Sequence, residues 1–131
     1  MRGQPTPDAV RTLGLVNLVG GLANATLGGL LASTVLSFGG AVCTGMCTMG
    51  FCPFGGVLGV FGFLVMPLGL VEAAIGLATL VSPESARPLL RLLPYTQLAA
   101  ILLGDVISPI LGMVGLALTR DPEVTAYLEG I

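Results

Sequence analysis

The sequence contains no histidine, no tryptophan and no lysine, and only 9% of its residues are charged. Without histidine there is no imidazole to act as a general base or to hold zinc or haem, so Ser-His-Asp and Cys-His catalysis are excluded. The five basic residues form no cluster and the net charge is −2, which argues against a nucleic-acid partner. We therefore expect a non-enzymatic protein with no cofactor.

Apolar residues are abundant instead. They make up 54% of the chain, and the mean hydropathy is +0.99. The surface of a soluble domain is roughly a quarter to a third charged, and five basic plus seven acidic side chains cannot cover a 131-residue globule. Disordered chains are poor in apolar residues, so disorder is excluded as well. The composition predicts an all-α, polytopic integral membrane protein whose first partner is the lipid bilayer.

Charge and glycine positions divide this membrane domain, which we expect to occupy residues 1–131. No charged residue occurs from Thr12 to Val71, and a span needs about 20 apolar residues, so glycine and proline between residues 37 and 53 are expected to break the run. The prediction is three spans at about 7–36, 53–81 and 95–119, a Gly- and Cys-rich connection at 37–52, an interfacial helical segment at 82–94 and a tail at 120–131. The alternative is that residues 38–52 form a re-entrant segment or a fourth helix.

Arginine placement predicts the orientation. With three spans, the N-terminus and the 82–94 segment share the side that holds Arg2, Arg11, Arg87 and Arg91. The positive-inside rule then puts the N-terminus in the cytoplasm and the C-terminus outside, and the expected location is a bacterial inner membrane. Ala23-Asn24-Ala25 is similar to the cleavage site of a secretory signal, but the apolar run continues past it, which favours an uncleaved helix.

Small residues recur at helical spacing. The predicted helix-packing residues are Gly21, Ala25, Gly29 and Ser33 on the first span and Gly55 and Gly59 on the second. In lipid, close backbone approach across such residues is a main source of helix attraction. In a chain with 20 glycines some of these spacings arise by chance. We interpret them as packing positions, within the chain or between subunits.

Two acidic residues lie inside the predicted spans. Glu72 and Asp105 are each about ten residues from helix ends that face the same side, which puts both roughly 15 Å deep. Asn24 reaches a similar level, and Asn17 lies nearer the membrane entry. No basic residue lies in the spans to pair with them, so we expect at least one acid to be protonated. The four residues predict either a cation or proton site or neutral interhelical hydrogen bonds worth about 1 kcal/mol.

Cys43, Cys47 and Cys52 lie close together in the sequence. Two of the three are on one helical face, and together they could hold a metal ion or form a disulfide with one thiol left over. Cysteine also packs as a small apolar residue. All three interpretations stay open.

These features give three hypotheses for function. The first is a structural or accessory subunit that associates with itself or with a larger membrane complex. The second is a cation- or proton-conducting protein that uses Glu72 and Asp105. The third is a metal-handling or thiol-redox membrane protein that uses the cysteines.

Overall fold

The structure, a computed structural model, describes residues 6–48, 52–103 and 105–130, with side chains at 6–34, 61–102 and 105–130. Every regular element in these ranges is helical, which confirms the all-α class. In chain order they are α1 (Asp8–Thr48), α2 (Cys52–Val81), α3 (Pro83–Ala99), a 3-10 turn (Ala100–Leu103), α4 (Ile107–Thr119) and α5 (Pro122–Glu129).

α1 continues through most of the predicted connection. Residues 37–48 are helical and α2 begins at Cys52, so the prediction of a connection over 37–52 is wrong for residues 37–48. Gly39 and Gly40 each lower helix propensity by about 1 kcal/mol, but no proline interrupts the backbone hydrogen bonds before Pro53. Pro53 is the second residue of α2, where its missing N–H has no partner to lose.

α1 and α2 form an antiparallel hairpin that packs glycine on glycine. Three glycines spaced by seven on one helix meet three on the other, as Gly14 with Gly76, Gly21 with Gly69, and Gly28 with Gly62. A β-carbon added to Gly21 would overlap the backbone nitrogen of Ala73, and one added to Gly69 would overlap that of Ala25. A seven-residue repeat keeps one stripe facing a partner helix along its length.

α3 and α4 form a second, shorter antiparallel hairpin. Gly112 lies against Gln97 and the Pro94 carbonyl, and Gly115 packs on the Pro94 ring. The predicted third span at 95–119 is therefore wrong as one helix, and the predicted interfacial segment at 82–94 belongs to α3. The chain turns between Ala100 and Val106 because the Asp105 side chain binds the first free amides of α4, which begins a new helix there.

One end of the bundle holds the starts of α1 and α3 together with α5. The starts of α1 and α3 form a hydrophobic cluster with α5, made of Val10, Leu13, Ala86, Leu90, Val124, Tyr127 and Leu128. The Arg87 guanidinium lies 4.1 Å from the centre of the Tyr127 ring. The sequence predicts the tail at the end opposite the N-terminus, and the structure corrects this because the α3–α4 hairpin turns back.

Two helical segments are long and apolar enough to cross a membrane by length and composition. They are Asp8–Thr34 in α1 and Phe61–Val81 in α2, whereas the apolar α4 has only 13 residues. Within the described residues, two candidate spans replace the predicted three.

The glycine contacts generate a stability prediction. We expect Gly21→Ile to lower the midpoint of thermal unfolding, followed by circular dichroism in mild detergent, because the added side chain meets backbone atoms of α2. Overpacking of this kind costs about 1–3 kcal/mol.

Gly29→Ile is the matched control on the same helix. The only atom near an added β-carbon there is Met66 Sδ, at 3.9 Å, so the midpoint should stay close to that of the natural chain. Equal losses in the two variants would contradict the proposed contact face.

Candidate functional site

Six buried polar side chains lie in the interior where α1, α2 and the α3–α4 hairpin meet. We call them the polar cluster: Asn17, Asn24, Glu72, Gln97, Asp105 and Ser108. A buried polar group is destabilising unless it is hydrogen-bonded. The partners of each atom therefore show which members serve packing and which do not.

Asp105 has a donor for every lone pair of its carboxylate. Its Oδ1 accepts from the backbone N–H of Ile107 at 2.9 Å and of Ser108 at 3.2 Å. Its Oδ2 accepts from Asn24 Nδ2 at 2.7 Å and from the Ser108 hydroxyl. The two amides belong to the N-terminus of α4, where a negative charge is favourable. Asp105 thus starts α4 and ties it to α1.

Asn24 joins the tip of the hairpin to α1. Its Nδ2 donates to Asp105 and, at 2.8 Å, to Ser108 Oγ. The opposite orientation of this amide would set an oxygen against the carboxylate, so these acceptors fix which atom faces them. The other amide atom, Oδ1, is buried and has no hydrogen-bond partner.

A second polar link lies nearer the start of α1. Gln97 Nε2 donates to Asn17 Oδ1 at 2.8 Å, and Asn17 Nδ2 donates to the Leu13 carbonyl oxygen at 2.9 Å. α3 is therefore bound to α1 through a neutral amide pair, which holds the hairpin in place without any charge.

Glu72 differs from the other members of the cluster. It is 0% exposed, and among the side chains that the structure describes neither of its carboxylate oxygens has a partner within hydrogen-bond distance. The groups that act on it are Ser108, Gln97, Asn24 and Asp105, none of which is cationic. A buried polar group without a partner costs about 1–3 kcal/mol, and a charged one costs more.

Glu72 and Asn24 together supply three oxygens that lack donors. These atoms are Glu72 Oε1, Glu72 Oε2 and Asn24 Oδ1. We call them the open acceptors. With the Glu72 carboxylate ionised they carry one negative charge, so the arrangement can take up a proton or a small cation.

The four residues that the sequence singles out lie in one interior, but they have different partners. Asn24 binds Asp105 directly, Asn17 binds Gln97, and Glu72 faces Asn24 and Asp105 without a hydrogen bond. Sequence reasoning missed Gln97 and Ser108. The sequence contains a signal for each of them. Both are polar residues in a largely apolar stretch, and Ser108 follows Asp105 by three residues, the spacing at which a capping side chain reaches a backbone amide.

Some of the predicted packing residues contact the facing helix closely and others do not. Gly21 and Ala25 meet Gly69 across the hairpin, whereas Gly29 meets only the tip of Met66 and Ser33 is exposed. The structure does not describe the contacts of two predicted packing residues, Gly55 and Gly59, or the side chains of Cys43, Cys47 and Cys52. The packing prediction at the two glycines and the metal or disulfide hypothesis therefore lie outside the described residues.

The contrast between the two acids predicts opposite effects on stability. Asp105→Asn turns an acceptor of four hydrogen bonds into a group that opposes the Asn24 amide, so the unfolding free energy should fall by about 1–3 kcal/mol. Glu72→Gln keeps the volume and brings a donor to the open acceptors, so this variant should be at least as stable as the natural chain.

The measurement is reversible unfolding in detergent by circular dichroism. A loss of stability in Glu72→Gln equal to that in Asp105→Asn would show that Glu72 is also a packing residue, and would contradict the assignment of open acceptors.

Comparison with known proteins assigns no function to this geometry. No protein-family model, no curated protein and no solved structure matches the chain. The function is therefore argued from the polar cluster and the helices around it.

Proposed function

We propose that the chain is an integral membrane protein that spans the bilayer with α1 and α2. Large apolar side chains are exposed along both helices, among them Leu22, Leu30, Phe63, Leu70 and Leu77. Soluble monomers rarely expose continuous apolar patches larger than a few hundred Å², and in lipid these side chains face acyl chains. The 41-residue α1 is about 60 Å long, so it extends past a hydrocarbon core of about 30 Å.

In this proposal the α3–α4 hairpin is re-entrant. Arg11 and Arg87 lie beside the hydrophobic cluster, and Arg91 lines a groove with Leu128 of α5. The positive-inside rule makes this end cytoplasmic, with the N-terminus and the tail on the same side. α1 rises about 20 Å between Arg11 and Asn24, so the hairpin tip at Asp105 lies within the hydrocarbon depth. A bacterial inner membrane remains a prediction.

The function that the geometry supports best is cation or proton handling at the polar cluster. The observation that carries it is that both carboxylate oxygens of Glu72 are buried without a donor. An acid that only joins helices makes interhelical hydrogen bonds, and here Asp105 makes them while Glu72 makes none. Ionisable groups inside a membrane that serve no such purpose mark ion or proton paths.

The break between α3 and α4 also favours this function. Transporters commonly use discontinuous helices, in which the free N-terminus of a half-helix lies at a binding site in the middle of the membrane. The amides at the start of α4 and the Asp105 carboxylate form such a terminus beside Asn24.

The contacts within one chain do not test the assembly hypothesis. Gly21 and its heptad partners pack α1 on α2, which is one of the two kinds of packing that the small-residue spacing predicts. Association with copies of itself or with a larger complex stays a prediction from the sequence.

Reconstituted vesicles test the proposal. The vesicles contain a pH- or cation-sensitive dye, and an imposed gradient drives the flux. We expect the flux through the natural chain to exceed that of protein-free vesicles. Glu72→Gln should reduce the flux to the protein-free level because it removes the only charge among the open acceptors.

Glu84→Gln is the matched control, since Glu84 is an exposed carboxylate in the first turn of α3. It should carry flux as the natural chain does. Protein-free levels of flux in the natural chain, for protons and for each alkali cation, would contradict the proposed function.

A further inference from the structure

We infer that the polar cluster takes a single proton and that Glu72, not Asp105, carries it. This inference rests on the proposed function and names the cation that the site binds. It assigns different roles to two carboxyl groups that composition and depth alone make equivalent.

The first step is the count of free lone pairs. A carboxylate offers about four acceptor positions, and Asp105 uses its two oxygens to accept from two backbone amides, one side-chain amide and one hydroxyl. Asp105 therefore has no lone pair left for a ligand. The ligand has to bind at the open acceptors of Glu72 and Asn24.

The second step is charge. The open acceptors carry one negative charge, and the groups that act on Glu72 add no positive charge. A monovalent cation balances this charge, whereas a divalent cation would also need the Asp105 carboxylate as a ligand, and its oxygens already accept four hydrogen bonds. The site is thus suited to one monovalent cation.

The third step is coordination. Hard metal cations such as Ca²⁺ and Mg²⁺ take about six or more oxygen ligands, and only three oxygens are open. A proton needs fewer partners. One proton bonded to a Glu72 oxygen neutralises the carboxylate without further ligands and turns one of its unpartnered oxygens into a donor.

The fourth step is the position of the proton. A proton on Asp105 would displace one of the four donors of that carboxylate, two of which are amides at the N-terminus of α4. A proton on Glu72 displaces nothing, because its oxygens have no hydrogen-bond partners.

Carbodiimide labelling tests the assignment directly. Dicyclohexylcarbodiimide is apolar and reacts with protonated carboxyl groups in apolar surroundings. The full chain in mild detergent or in vesicles is treated at neutral pH, and the modified residues are located by peptide mass spectrometry. We expect adduct on Glu72, none on Asp105, loss of the adduct in Glu72→Gln, and an unchanged Glu72 adduct in Glu84→Gln.

Alkali cations separate the proton from a metal ion. A large excess of Na⁺ or Li⁺ at constant pH should leave the labelling of Glu72 unchanged if the occupant is a proton. Protection by either ion would overturn the inference in favour of a metal cation. Adduct on Asp105 in place of Glu72 would overturn the assignment of the carrier, and absence of adduct in the natural chain would overturn protonation of Glu72.

The labelling result tests the inferred protonation of Glu72, and the flux result tests the proposed function, so each can fail without the other. Labelling of Glu72 without flux would leave the inferred protonation in place and remove the proposed conduction. Flux without labelling would keep the proposed function and remove the proton on Glu72.

Discussion

The hydrogen bonds around Asp105 determine the shape of the chain. Its carboxylate begins α4 by binding two amides and at the same time accepts a hydrogen bond from Asn24 on α1. Pro109 also disfavours a continuous helix from Pro83 to Thr119, because its ring would clash with the carbonyl of Asp105 four residues earlier, whereas the first turn of α4 tolerates it. The break turns a span into a hairpin, and the hairpin brings α5 back to the start of α1.

Much of the fold follows from the sequence, because composition and period are local properties. The absence of charge over 12–71 predicts long apolar helices, and Asp121-Pro122-Glu123 predicts the start of α5, where Asp121 Oδ1 accepts from the Glu123 amide at 2.9 Å. The seven-residue spacing of Gly14, Gly21 and Gly28 is visible in the sequence too. The four-residue spacing that extends to Gly29 and Ser33 leads away from the contact face.

The turn at Asp105 and the pairing inside the polar cluster could not be predicted, because both depend on tertiary contacts. A single Asp in an apolar run is compatible with a continuous helix, and the donors supplied by the side chains of Asn24 and Ser108 add to the local preference for a helix start there. The sequence brings Glu72 and Asp105 to one depth but cannot distinguish them. The difference between them is that hydrogen-bond donors contact both carboxylate oxygens of Asp105, whereas none of the described donors contacts those of Glu72.

The proposed re-entrant hairpin at Asp105 predicts that both ends of the chain lie on the same side of the membrane. Protease digestion of sealed vesicles that carry the chain with a different epitope tag at each terminus measures this. We expect both tags to be lost together from the molecules inserted in one orientation and to be protected together in the other. Loss of one tag with protection of the other in the same molecules would mean that residues 83–119 cross the bilayer, and would contradict the hairpin.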